Sequence, residues 1–161
     1  MIESKQCAYA VKVRNRKGFR VMAVRADKST DRTELDSHAD TIVGGANCVL
    51  LKAGNETATV HSFSHESKPF KHVPIGTIAT AWVDPKSGET FILEFPESLY
   101  FGDRMSHTLL CPNQLRAHGL IVNDVPHQFD ERSTHSIQVP ADYGGIDIEI
   151  PLEMNGVISY F

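Results

Sequence analysis

Asp36-Ser37 is the pair in this sequence best suited to chemistry: a carboxylate followed at once by a hydroxyl, both after the apolar Leu35. Where a strand stops, such a pair presents a carboxylate on a rigid support while the hydroxyl fastens the turn that carries it. If two copies of the chain bring two such carboxylates together, both cannot ionise easily at close range, so the pair shares a proton. One carboxylate then activates water while its partner protonates the attacked carbonyl, which is hydrolysis by general acid–base catalysis. The plainer alternative is that Asp36-Ser37 caps a turn or a helix, the ordinary use of these residue types.

Other side chains invite different chemistry. His61, His65 and His72 lie close together, and His61 and His65 have the i, i+4 spacing that grips a metal on a helix. Ser62, Ser64, Ser67 and Pro69 favour a loop there instead, and no HExxH glutamate accompanies them. Surface or structural histidines are therefore expected, with neither metal nor cofactor; zinc held by Asp36, His38 and one of these histidines is the rival enzyme reading. A cysteine nucleophile at Cys48 or Cys111 is a further alternative in principle, without local sequence to pair it with a histidine base.

The elements that must position Asp36 are short and mostly β. Val11 and Val13, then Phe19, Val21 and Ala23, alternate around Asn15-Arg16-Lys17-Gly18, which predicts a hairpin over residues 9 to 24. Residues 25 to 32 read as a loop. The following ELDSHADTIV brings in a strand that ends at Asp36, with a further turn closing at Gly44-Gly45. A second hairpin pairs HVPIGTIATAWV with ETFILEF around Asp84-Pro85-Lys86-Ser87-Gly88. Residues 112 to 119 form the best short helix, with Pro112 near its start and Gly119 at its stop. The remainder breaks into short runs suited to strands, and Ile146, Ile148 and Ile150 alternate with acidic residues as one buried face would. Trp82, Phe91, Phe95 and Phe101 are expected in packing rather than as a stacking platform for bases. The sum is a single mostly β domain over residues 1–161, a barrel or sandwich.

Composition removes several functional classes. The chain has 161 residues and a formal net charge of −4, so no global positive field is present to hold nucleic acid by counterion release. Its three cysteines, Cys7, Cys48 and Cys111, form no CxxC pair and suggest neither a disulfide framework nor a structural zinc site. No stretch approaches the roughly 20 apolar residues that span a bilayer. The opening MIESKQCAYAVK lacks the apolar core of a signal peptide, and a soluble cytoplasmic chain is the expectation.

Three segments, in order, resemble a known family. Leu35-Asp36-Ser37-His38-Ala39-Asp40-Thr41 resembles the active-site loop of retroviral and retrotransposon aspartic proteases, a hydrophobic residue followed by Asp-Thr/Ser-Gly-Ala. Val73-Pro74-Ile75-Gly76-Thr77-Ile78 resembles the glycine-containing strand that begins the flap in copia-type proteases. Thr108-Leu109-Leu110-Cys111-Pro112-Asn113-Gln114-Leu115, closing at Gly119, resembles the second family motif, a pair of apolar residues leading into a short helix. The resemblance spans roughly residues 9–122 and leaves 123–161 as a β-rich extension. It implies a closed retropepsin-like barrel acting as a homodimer on a polypeptide substrate, the element's own polyprotein. It also implies that Asp36 is the catalytic carboxylate and that Ser37 braces the two loops across the dimer. His38, Ala39, Asp40, Gly76 and Thr77 would then line the substrate, beneath a flap formed by the hairpin around residues 73–95 with a mobile tip.

His38 stands where the family keeps glycine, and Cys111 where retroviral members have glycine. The alternative to an active protease is accordingly a retroelement-derived domain that keeps the fold and binds peptide or assembles particles without cleaving.

Overall fold

The computed structural model describes residues 32–61 and 67–161, together with the backbone of residues 12–15. Strands β1 (Lys12–Asn15), β2 (Thr33–Leu35), β3 (Val43–Gly45), β4 (Val49–Val60), β5 (Phe70–Val83), β6 (Thr90–Gly102) and β7 (Thr108–Leu110) precede the short helix α1 (Pro112–Ala117). Strands β8 (Ile121–Asn123), β9 (Ser136–Val139), β10 (Ile148–Pro151), β11 (Glu153–Asn155) and β12 (Ile158–Tyr160) follow it. The expected mostly β chain with one short helix is what forms.

Local sequence accounts for the β5–β6 hairpin. The opposed pairs Ile78 and Phe95, Thr80 and Leu93, and Trp82 and Phe91 share one face, and all six side chains are buried. On the opposite face Ala79 is buried while Ala81 and Val83 are exposed, so the period-two pattern of a half-buried sheet holds over Thr80–Val83. Trp82 and Phe91 stack with ring centroids 5.7 Å apart. The turn is closed by the Asp84 carboxylate, which accepts from the Lys86 N–H at 2.9 Å, the Ser87 N–H at 3.2 Å and the Ser87 hydroxyl at 2.6 Å. Gly88 supplies the left-handed φ of 71° that completes it.

Helix α1 also follows its punctuation. Pro112 occupies the first turn, and the Cys111 sulfur accepts the Gln114 N–H at 3.3 Å. Gly119, at φ 87°, then reverses the chain so that Leu120 N–H returns to the Leu115 carbonyl. Leu115 is carried into a core shared with Leu93, Phe95 and Leu110 of the large sheet and with Ile137, Val139, Ile148 and Ile150 of the smaller one. Residues beyond 122 therefore contribute to the same apolar cluster.

The strand order is β11-β12-β2-β7-β3-β6-β5-β4, with β1 also pairing β6; β10-β9-β8 forms a separate sheet. The pairing gives no closed barrel: among the described residues it is an open path with β11 and β4 at its ends. The cause lies at the C-terminus. Strand β12 adds to the outer edge of β2, with Tyr160 opposite Glu34, and extends the sheet where closure would need that edge free. Two further corrections are local. Ile148 and Ile150 are buried but Ile146 is exposed, because it precedes β10 and the alternation begins only where pairing begins. Gly44 and Gly45 lie in β3 rather than in a turn, for reasons given below. Of the hairpin predicted over residues 9–24, Lys12–Asn15 forms β1 against Phe91–Glu94; the rest lies outside the described residues.

Candidate active site

Asp36 follows directly on β2, at the end of the strand as the sequence predicts. What the sequence does not announce is the support. Strand β7 is inserted between β2 and β3, parallel to the first and antiparallel to the second, so the chain from Asp36 to Ile42 must arch over the end of β7. Both feet of this arch are fixed. The Asp36 N–H donates to the Leu110 carbonyl at 2.9 Å, and the Ile42 N–H donates to the Gln114 side chain of α1 at 2.8 Å. The two motif segments of the sequence, around Asp36 and around Leu110 to Gln114, are thereby brought into direct contact.

Within the arch the Asp36 Oδ1 accepts the His38 N–H at 2.9 Å, an Asx turn that orients the carboxylate. Ala39 N–H returns to the Asp36 carbonyl at 3.3 Å. The Asp36 side chain is 36% exposed and that of His38 81% exposed, with Nδ1 3.9 Å from Oδ1. Asp36 Oδ2 accepts no hydrogen bond among the described residues. Ser37 and Asp40 are exposed on the same arch, and Ala39 is half-buried. Among the described residues the carboxylate has one oxygen fastened and the other accepting nothing, on an arch hydrogen-bonded at both ends.

A buried polar network that sequence reasoning missed ties the opposite ends of the same strands, where Thr33 pairs with Thr108. The Thr108 hydroxyl donates to Asn47 Oδ1 at 2.6 Å, accepts the Gly45 N–H at 3.1 Å and touches Cys48 Sγ at 3.0 Å. Asn47 Nδ2 in turn reaches the Thr33 hydroxyl and the Arg32 carbonyl, each at 3.1 Å, and the Asn47 carbonyl accepts from Thr80 at 3.0 Å. Strands β2, β5 and β7 and the turn after β3 are tied at one point. Gly45 is required there: a Cβ would lie 2.2 Å from the His107 carbonyl oxygen. At Gly44 it would lie 2.7 Å from Ile78 Cδ1.

Gly76 and Thr77 are not joined to this arch. They sit on β5, separated from β2 by β7, β3 and β6, and pair with Ala53 and Lys52 of β4. Gly76 is explained by that pairing, since a Cβ there would meet the Lys52 carbonyl at 2.2 Å. The turn Asp84–Gly88, at the tip of the expected flap, carries its own hydrogen bonds, and Lys86 lies 3.6 Å from Glu149 of β10 in an exposed ion pair. In contrast, β4 is exposed at nine of its twelve positions, and its ladder with β5 is broken by three register shifts.

Rival chemistries find little support. Cys48 is buried and faces Thr108, and burial pushes its thiol up, the direction that disfavours a nucleophilic thiolate. Cys111 is buried as the helix cap. Among the described residues no three His, Cys, Asp or Glu side chains are grouped to hold a metal ion; His65 lies outside them. No described helix is long and apolar enough to cross a membrane. Comparison of the chain with protein-family models, with curated proteins and with solved structures returned no match in any of the three.

Proposed function

We propose that this chain is a retropepsin-like aspartic endopeptidase of a retrotransposon polyprotein, acting as a homodimer. The observation that carries the proposal is the Asp36 carboxylate: half-exposed at a strand end, held through Oδ1 and open at Oδ2, on an arch fixed by Leu110 and Gln114. One chain offers one such carboxylate, and a twofold axis through the arch supplies the second from an identical surface. Two carboxylates brought close together across that axis share one proton. The ionised member takes a proton from a bound water as it attacks the peptide carbonyl, and the protonated member gives its proton to the carbonyl oxygen. No cofactor enters.

Ser37, exposed beside the carboxylate, is placed to brace the partner's arch, and His38, Ala39 and Asp40 to line the substrate backbone. We assign the covering element to the β4–β5 ribbon, with Gly76 and Thr77 toward its base, because its outer strand is exposed and its ladder interrupted. Strands of twelve and fourteen residues extend about 40 Å at roughly 3.3 Å per residue, ample to arch over a peptide. The reducing cytosol, where the polyprotein is made, is the proposed setting.

His38 favours a second reading. Its imidazole stands exposed at the carboxylate, where a bulky side chain obstructs substrate and the partner arch alike. On that reading the dimer binds peptide or assembles particles without cleaving.

The test is cleavage of polyprotein-derived peptides by the purified chain across roughly pH 4 to 7, with Asp36→Asn, pepstatin and a chelator as separate arms. Cleavage abolished by the mutation and by pepstatin but untouched by the chelator supports the protease. A folded dimer that cleaves nothing supports the binding domain, and chelator-sensitive cleavage supports the metal-dependent rival.

A further inference from the structure

We infer that the C-terminal hairpin β11–β12 is a brace on the strand that delivers Asp36, released in acid, with His135 as its rivet. The inference stands on packing and does not rest on the proteolytic reading.

The brace is visible in the backbone. Thr33 N–H donates to the Phe161 carbonyl at 3.0 Å and Phe161 N–H to the Thr33 carbonyl at 3.1 Å, three residues before Asp36 in sequence. Tyr160 lies opposite Glu34, with the Arg32 guanidinium 5.2 Å from its ring centroid and its hydroxyl bonded to Glu153 at 2.8 Å. Yet each strand of the hairpin has three residues, and Val157 at its tip is 92% exposed. A two-stranded ribbon of this length has little stability of its own. Its position depends on what grips its base.

That grip is His135. Its side chain is buried, and Nε2 lies 3.0 Å from the buried Ser159 hydroxyl of β12. Its carbonyl accepts the Leu152 N–H at 2.9 Å, immediately before β11. Its own N–H is held by the Ser133 hydroxyl at 3.1 Å. The residue adopts φ 45°, in the left-handed region that non-glycine residues enter uncommonly and histidine more readily than most. His135 thus joins β9, the hairpin and, through β12, the edge of β2.

Among the described residues no carboxylate hydrogen-bonds the His135 ring, so no ion pair compensates for its burial. The hairpin presents the Ser159 hydroxyl, backed by the Met154 sulfur 3.5 Å from it. From β10, Glu149 is engaged by the neighbouring Ser136 hydroxyl at 3.1 Å. Burial, reinforced by His127 and partly offset by Asp124, holds His135 below the ordinary histidine value. The sign follows from linkage: a base whose folded value is depressed contributes its full stability above its unfolded value and loses it as pH falls through the folded one. Acid therefore loosens the rivet and frees the outer edge of β2.

Amide hydrogen exchange, corrected for intrinsic rates, tests this between about pH 7.5 and about pH 5. The native chain should lose protection at Ile158–Phe161 and at Thr33–Leu35 on acidification, while the β5–β6 hairpin keeps its own. His135→Asn, which tolerates the left-handed backbone and does not titrate, should show protection at the same amides that does not change with pH. Constant protection in the native chain, or an unchanged pH dependence in the variant, overturns the inference. Should the variant not fold, the NMR titration of His135 in the native chain decides. A midpoint below the ordinary value that coincides with loss of protection supports the brace, and a midpoint at or above that value overturns it.

Discussion

Replacing Thr108 by valine keeps the shape of a fully buried side chain and removes the hydroxyl at the centre of the network that ties the starts of β2 and β7, the strands that carry the Asp36 arch. Three partners then lose that bond: the Gly45 N–H, 3.1 Å away, Asn47 Oδ1, 2.6 Å away, and the Cys48 thiol, 3.0 Å away and only a weak hydrogen-bonding group. A buried group left unpaired costs about 1–3 kcal/mol, and Asn47, partly buried, recovers some of that by turning toward water. The expected loss is about 2–4 kcal/mol. Urea unfolding reads it: with a slope of about 2 kcal/mol per molar, the midpoint falls by about 1–2 M. Thr108→Ser retains the hydroxyl and should lose no more than about 1 kcal/mol, the value of a buried methyl group. A loss below about 0.5 kcal/mol in the valine variant would show that the network does not hold β2, β5 and β7 together, and the rigid support argued for Asp36 would go with it.

Two further outcomes follow from the geometry. Gly45→Ala forces a methyl group onto the His107 and Met105 carbonyls, 2.2 and 2.8 Å from its ideal position, and should cost about 2 kcal/mol or more by the same unfolding assay. Gly88→Ala, in open space at φ 71°, should cost about 1 kcal/mol. The Asp84 carboxyl is held below the usual carboxylate range by the Ser87 hydroxyl and then by the Lys86 N–H. Whatever stability it gives is therefore present above the usual range and lost as pH falls through the lowered value. NMR titration should find Asp84 moved up toward ordinary behaviour in Ser87→Ala.

Local signals were legible and distant pairings were not. Asp84 to Gly88 and Pro112 to Gly119 carry their turn and helix ends in their own residues, so the β5–β6 hairpin and α1 could be read from a few neighbours. Strands β2 and β7 are three residues each, too short for any periodicity to appear, and their parallel pairing joins positions far apart in the chain. The motif order placed Asp36 at a strand end and the Leu110 segment ahead of a helix. That these two touch, and that Thr33, Asn47 and Thr108 bind one another at the far ends of the same strands, depends on which strand is inserted where. Gly44 and Gly45 looked like a turn because glycine marks turns; close backbone approach inside a sheet selects the same residue. The closed barrel failed for a reason of the same kind, since nothing in Ile158–Tyr160 declares that it will take the edge of β2.

The central claim, a carboxylate pair shared between two chains, is tested most directly by mixing native chain with Asp36→Asn chain at constant total concentration and measuring peptide cleavage. A shared site leaves activity only in native pairs, so an equal mixture retains about one quarter of the native rate, following the square of the native fraction for random pairing. A rate that falls in simple proportion, to about one half for independent sites, would contradict the shared pair. Cleavage by the Asp36→Asn chain alone would remove Asp36 from the chemistry altogether.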